Sequence, residues 1–178
     1  MKKTKQVIAL DLDGVIWDLI NPWIDYYNES YNDNVKYKDV KDYDLAKSFT
    51  KASMDQILDI LLVENFWESV EPFKHSKYLK KLNDEFDLYI ATKTDYRLLE
   101  RKVNRLLILF PFLNPDQIIC IHDKSLLRVD WLVDDCVDNL DNGKFKKIVL
   151  DAPYNKECKY IRAKNLKEVY NIISTGEK

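Results

Sequence analysis

Glycine is scarce in this chain, three residues in 178, so Gly14 and Gly143 are expected to serve backbone needs rather than to fill loops. Cysteine is equally sparse. Cys120, Cys136 and Cys158 are odd in number and sit at no metal-binding spacing, which excludes a disulfide framework and reads as free, buried thiols in a reducing cytosol. The two histidines, His75 and His122, are far apart and at no ligand spacing, and read as local hydrogen-bonding residues. No apolar run is long enough to span a bilayer, and no signal peptide precedes the first apolar segment. The expectation is therefore a cytoplasmic protein without membrane contact. An excess of positive charge is also missing: 28 basic against 30 acidic residues leave a net charge of -2, with no electrostatic footprint for duplex nucleic acid. The short basic start, Lys2, Lys3 and Lys5, reads as solvated. There is no internal repeat and no low-complexity segment. With 46% hydrophobic and 33% charged residues, the chain has the balance of a globular domain that can bury a core.

The most informative stretch is the apolar run Val7–Leu10 followed by Asp11-Leu12-Asp13-Gly14-Val15. A short, uninterrupted β-prone run reads as a strand buried on both faces. Its carboxyl end then presents two acids, Asp11 and Asp13, where ligands bind in open α/β sheets. Carboxylates placed there call for a compensating cation, and Mg2+ suits an all-oxygen donor set. An Asp-x-Asp-Gly run also marks surface turns and calcium loops. However, no third or fourth acid follows at calcium-loop spacing.

Beyond Trp17 the character changes. Asp18–Tyr31 and Ser53–Val63 read as helices, the second with Ser53 as N-cap. Ten of the 22 aromatic residues fall between Trp17 and Trp67, which suggests a helical insertion with a small core of its own. After Pro72 the alternation becomes regular. Helices are expected at 75–82, from Asp95 through Leu109, and at 165–173. Strands are expected at 86–91, 117–121, 129–133 and 147–150. The expected fold is a Rossmann-like, five-stranded parallel sheet flanked by helices. Residues 1–16 and 72–178 would form this core, with 17–71 inserted after the first strand as a small helical cap.

Each later strand ends in a polar group of a different kind: Thr92, then Lys124, then Asp134-Asp135. A hydroxyl, a cation and a group of acids around one anion are the equipment of phosphoryl transfer. In this order the four elements resemble the motifs of the haloacid dehalogenase superfamily. Within it the chain is similar to the 5'(3')-deoxyribonucleotidases. The resemblance rests on Asp-x-Asp-Gly-Val-x-x-Asp from Asp11 to Asp18, on Phe66-Trp67 with Pro72, on Trp131–Asp135 with Asp138-Asn139, and on Pro153-Tyr154-Asn155. It implies that Asp11 is the nucleophile and Asp13 the general acid and base. Asp11, the main-chain carbonyl of Asp13, and Asp135 would hold Mg2+, with Asp134 beside them. Thr92, Lys93 and Lys124 would bind the phosphate end of the substrate, and Trp17, Phe66 or Trp67 would stack on a base. The implied activity is hydrolysis of (deoxy)nucleoside monophosphates through an aspartyl-phosphate. The same chemistry on a sugar phosphate, or a non-catalytic binding domain of this fold, are the alternatives. The chain departs from the family's usual pattern at Lys93-Thr94, at Lys74–Ser76, and at Leu19, where an aromatic is common.

Overall fold

The computed structural model describes residues 5–176, so Lys2 and Lys3 lie outside the described residues. Among the described residues eight strands and six α-helices follow one another: β1 (Val7–Leu10), β2 (Trp17–Asp18), α1 (Ile20–Tyr31), α2 (Met54–Asp59), β3 (Glu71–Pro72), α3 (Tyr78–Glu85), β4 (Asp87–Thr92), α4 (Leu99–Leu109), β5 (Ile118–Cys120), β6 (Trp131–Asp134), α5 (Val137–Leu140), β7 (Lys146–Leu150), β8 (Ile161–Ala163) and α6 (Leu166–Thr175). Short 3-10 turns join several of them.

The main sheet has six parallel strands in the order β5-β4-β1-β6-β7-β8. It is one strand wider than the five expected from the sequence. The addition is β8, three residues long, whose Ile-Arg-Ala is too short and too polar at its centre to read as an apolar run. β1 lies between β4 and β6, with Leu10 opposite both Ile90 and Val133. The chain builds outward from β1 to β5 and then crosses to β6 on the other side. The carboxyl end of β1 is thus the point where strand order reverses and a crevice opens.

Alternation of buried and less buried residues fades at the centre of the sheet, where Ile8, Ala9, Leu10, Leu132 and Val133 are all inaccessible to solvent. Helices cover both faces, as a parallel sheet requires. At the edge, Cys120 is exposed, correcting the reading of it as buried: β5 pairs on one side only. Cys136 is buried and its thiol is pushed up to about 12, chiefly by burial. Among the described residues no helix is long and apolar enough to cross a membrane.

The segment after β1 leaves and returns through a two-stranded antiparallel ribbon, Trp17 opposite Pro72 and Asp18 opposite Glu71. Ser53 caps α2 as a capping box with Gln56. That helix is shorter than the expected 53–63, because Ile60–Leu62 tighten into a 3-10 turn. α1 begins at Ile20, two residues later than expected, because Trp17 and Asp18 belong to the ribbon. The expected separate small core is not found. One continuous apolar cluster runs from Ile8 and Leu10 through Trp17 and Trp67 to Tyr27, Phe49 and Ile57. Trp17 and Trp67 bridge the two regions, ring centroids 5.9 Å apart.

Because that cluster is continuous, the inserted segment and the sheet are expected to unfold together. Phe49 is fully buried and stacks on Tyr27 with centroids 4.3 Å apart. Phe49→Ala should cost about 3–5 kcal/mol and leave a single transition in urea, by fluorescence and by circular dichroism alike. Two separated transitions would contradict a shared core.

Candidate active site

The site is built at the carboxyl end of β1. The amide of Asp11 donates to Val133 O at 2.8 Å, continuing the pairing with β6 one residue past the strand. The backbone then folds into a tight turn, Ile16 N to Leu12 O at 3.0 Å and Gly14 N to Trp17 O at 3.1 Å. Gly14 has φ +77°, and a Cβ built on it would lie 2.2 Å from Oδ2 of Asp135. Its place is therefore fixed twice, by a left-handed backbone and by the close approach of a carboxylate.

Asp11, Asp134 and Asp135 are all buried, and one oxygen of each lies within 4.8 Å of the others. Lys124, itself fully buried, joins two of them, with Nζ donating to Asp11 Oδ1 and, at 2.6 Å, to Asp134 Oδ2. Asp123 fixes the short turn that carries Lys124 by accepting from Ser125 N at 3.0 Å. Burial pushes Asp11 up to about 7 despite Lys124, with Asp134 and Asp13 adding to the shift. Burial likewise raises Asp135, reinforced by Asp11. For Lys124 burial acts downward, but the carboxylates of Asp11 and Asp134 outweigh it and hold the ammonium charged. Three buried acids against one buried lysine leave negative charge uncompensated. An all-oxygen donor set of this size fits a hard divalent cation.

The two neighbouring acids differ in freedom. Asp134 accepts from Lys124, from Cys136 N at 2.9 Å and from Asn139 Nδ2 at 3.1 Å. Asp135 accepts from the hydroxyl of Tyr154. Asn155, buried, ties the same loop by donating to Asp135 O at 2.8 Å and Leu150 O at 2.7 Å. Thr92, at the end of β4, is buried with a hydroxyl that has no hydrogen-bond partner among the described residues. An orphaned buried hydroxyl beside β1 is a group awaiting an acceptor.

Asp13 points elsewhere than Asp11. Its Oδ1 accepts from the indole of Trp17 at 2.8 Å and its Oδ2 from the ammonium of Lys102 on α4. Its side chain lies outside the acidic cluster, so only the main-chain carbonyl remains for a metal. Next to it opens a cavity of about 510 Å3, walled by Ile20, Trp23, Tyr43, Leu45, Met54, Leu58, Leu61 and Leu98, with Lys93, Thr94, Asp95, Lys102 and His122 among its polar groups.

Trp17, Phe66 and Trp67 do not line this cavity, correcting their reading as base-stacking residues. They are 0%, 0% and 5% exposed and are held by one another, by Tyr26 and, for the Trp67 indole, by Leu61 O at 2.9 Å. Leu19, also buried, is absent from the wall. The aromatics that do reach it are Trp23, Tyr43 and Tyr154, the last two edge to face at 5.9 Å. Tyr43 lies in a stretch without period and gave no signal. Lys102 did leave one, a lysine in register with buried Leu98 and Leu106 on the inner stripe of its helix. His122 lines the cavity, and His75 accepts from Leu166 N at 3.4 Å, 91 residues along the chain, so neither serves the local hydrogen bonding expected of it.

Gly14→Ala tests this geometry. A side chain in a left-handed backbone costs roughly 1–3 kcal/mol, and the displaced Asp135 should weaken divalent-cation binding. Urea denaturation and calorimetric titration with the metal should both register the change. A variant binding cations as the parent does would contradict the close approach.

The family model described as 5' nucleotidase, deoxy (pyrimidine), cytosolic type C protein matches residues 5–177. A 5'(3')-deoxyribonucleotidase of Clostridium acetobutylicum is 35% identical over 164 residues, covering 90% of this chain and 91% of that protein. One of Bacillus subtilis is 30% identical over 169 residues, covering 93% and 96%. The fold matches a haloacid dehalogenase-like hydrolase of Streptococcus pneumoniae with TM-score 0.63 at 18% identity, over 94% of this chain and 98% of that one. It also matches a haloacid dehalogenase hydrolase of Bacillus subtilis, bound to magnesium, with TM-score 0.61 at 17% identity, over 97% and 100%. This chain belongs to the 5'(3')-deoxyribonucleotidase family, and its fold is that of the haloacid dehalogenase-like hydrolases.

Proposed function

We propose that this protein is a Mg2+-dependent phosphomonoesterase, a 5'(3')-deoxyribonucleotidase that dephosphorylates deoxynucleoside monophosphates through an aspartyl-phosphate. The observation that carries the reading is the buried Asp11–Lys124–Asp134–Asp135 cluster, adjoining the orphaned hydroxyl of Thr92 and a largely apolar cavity. Residues 17–71 act as a cap over the core formed by 1–16 and 72–178, excluding water while the ester reacts.

An oxygen of Asp11 attacks phosphorus and the ester P–O bond breaks. The proton carried by Asp13 passes to the leaving alkoxide. Asp13, now a carboxylate, takes a proton from water as the water oxygen attacks phosphorus. The bond from phosphorus to Asp11 breaks, releasing inorganic phosphate and restoring Asp11. Thr92 and Lys124 hold phosphate oxygens, and Lys93 stands at the cavity side of the same strand end. Asp11, Asp135 and the carbonyl of Asp13 would hold Mg2+; Asp134, already engaged by three donors, steadies Lys124 beside them. When bound, the ion neutralises phosphate charge.

Proton and metal compete for the same oxygens. Without a cation Asp11 is raised from 3.8 to about 7. Between those values the folded state keeps a proton that the unfolded chain has lost. The metal-free fold therefore loses stability as pH rises through about 7, while cation binding strengthens over the same range. Added Mg2+ should raise the melting temperature more at about pH 8 than at about pH 6, in a thermal scan after chelation. An equal rise at both would remove Asp11 from the metal site.

The base is received by the cavity, where Tyr43, 50% exposed, is the most accessible of the three rings. Stacking is worth on the order of 1–3 kcal/mol, so deoxynucleoside monophosphates should exceed ribose 5-phosphate in kcat/KM by roughly tenfold to a hundredfold. Tyr43→Ala should erase most of that margin and leave hydrolysis of p-nitrophenyl phosphate nearly unchanged. If ribose 5-phosphate is turned over as well as the nucleotides, a sugar-phosphate phosphatase is the better description.

A further inference from the structure

We infer that Lys102 on α4 is the positioning residue for the acid–base carboxylate Asp13, an inference that rests on the role assigned to Asp13 above. The two residues are 89 apart in sequence, yet the ammonium donates to Asp13 Oδ2. Its side chain is 3% exposed, against 21% for Asp13. A lysine so buried needs a partner, and among the described residues its hydrogen-bond acceptor is this carboxylate. The contact is held from outside as well. Arg105, one turn further along α4, donates to Val70 O at 2.9 Å, and Arg101 donates to Leu62 O at 2.6 Å. These bonds fix α4 against the returning limb of the inserted segment, and so fix where the ammonium stands. The opposite oxygen of Asp13 is held by Trp17, a fully buried indole that cannot yield. The two contacts together leave the carboxyl group of Asp13 one orientation at the border of the cavity.

This arrangement separates the two halves of the reaction that the leaving group can report. An alkoxide leaves only as it receives a proton from Asp13; the P–O bond breaks and the proton ends on the nucleoside oxygen. A nitrophenolate leaves with its electron pair and needs no proton. Misaiming Asp13 should therefore slow release of the first and spare release of the second. Single-turnover release of nucleoside from thymidine 5'-monophosphate and of nitrophenolate from p-nitrophenyl phosphate, with Mg2+ present, provides the test. Lys102→Met should slow nucleoside release roughly tenfold to a hundredfold and nitrophenolate release by less than about twofold. Lys102→Arg keeps the cation in the buried site and serves if the first variant does not fold; it should show the same selective slowing, to a smaller extent. Equal slowing of both esters, or of neither, in a folded variant overturns the inference. Asp13→Asn is the separate control: full nucleoside release by that variant would overturn the role of Asp13 itself, and the inference with it. Slow release by Asp13→Asn alongside unimpaired Lys102 variants would overturn the inference alone.

Discussion

Three carboxylates buried at the end of a β-sheet are the constraint on which the surrounding structure depends. An ionised carboxylate removed from water is unfavourable by several kcal/mol unless it is paired and hydrogen-bonded. The fold meets this in part with Lys124, which lies between Asp11 and Asp134 and is itself fully buried. Asn139 and the amide of Cys136 satisfy the rest of Asp134. Among the described residues Asp135 is left with Tyr154 as its one side-chain donor. The chain carries these acids because the strands around them bury Ile8, Ala9, Leu10, Leu88, Ile90, Ala91, Leu132 and Val133, so the scaffold does not depend on the acids for its own cohesion. Burial is the main reason that Asp11 is raised to about 7, with Asp134 and Asp13 adding to it against the pull of Lys124.

The second acid of the motif has a different environment. Asp13 stands one turn beyond, in contact with Trp17 and Lys102, and borders the cavity. Two residues in sequence thus separate a carboxylate packed among other acids from one held by an indole and an ammonium. Opposite surroundings of this kind are what allow neighbouring carboxyl groups to take different roles in one reaction. The division depends on the inserted segment, since Trp17 belongs to its ribbon and Trp67 packs at a tilt against Trp17. The aromatic richness of that segment therefore goes mostly into joining it to the sheet. A smaller part of it, Trp23 and Tyr43, faces the cavity.

Sequence alone determined the parallel α/β sheet and the order in which chemistry-bearing residues arrive at it. Strand runs such as Val7–Leu10 and Trp131–Val133 are apolar throughout, and a polar residue directly after such a run has few places to go but the strand end. That is why Asp11, Thr92, Lys124 and Asp134-Asp135 could be grouped before any coordinates. The sixth strand was not legible, because three residues with a central arginine carry no period. Which aromatic is core and which is wall was decided only by tertiary structure. Phe66 and Trp67 carry the same composition signal as Trp23 and Tyr43, yet the first pair is buried away from the cavity and the second lines it. The partner of Asp13 was likewise out of reach. A lysine 89 residues away meets it because α4 is pinned by arginines to main-chain carbonyls. Local pattern reports what a residue prefers to bury, and only the packed chain fixes what it is buried against.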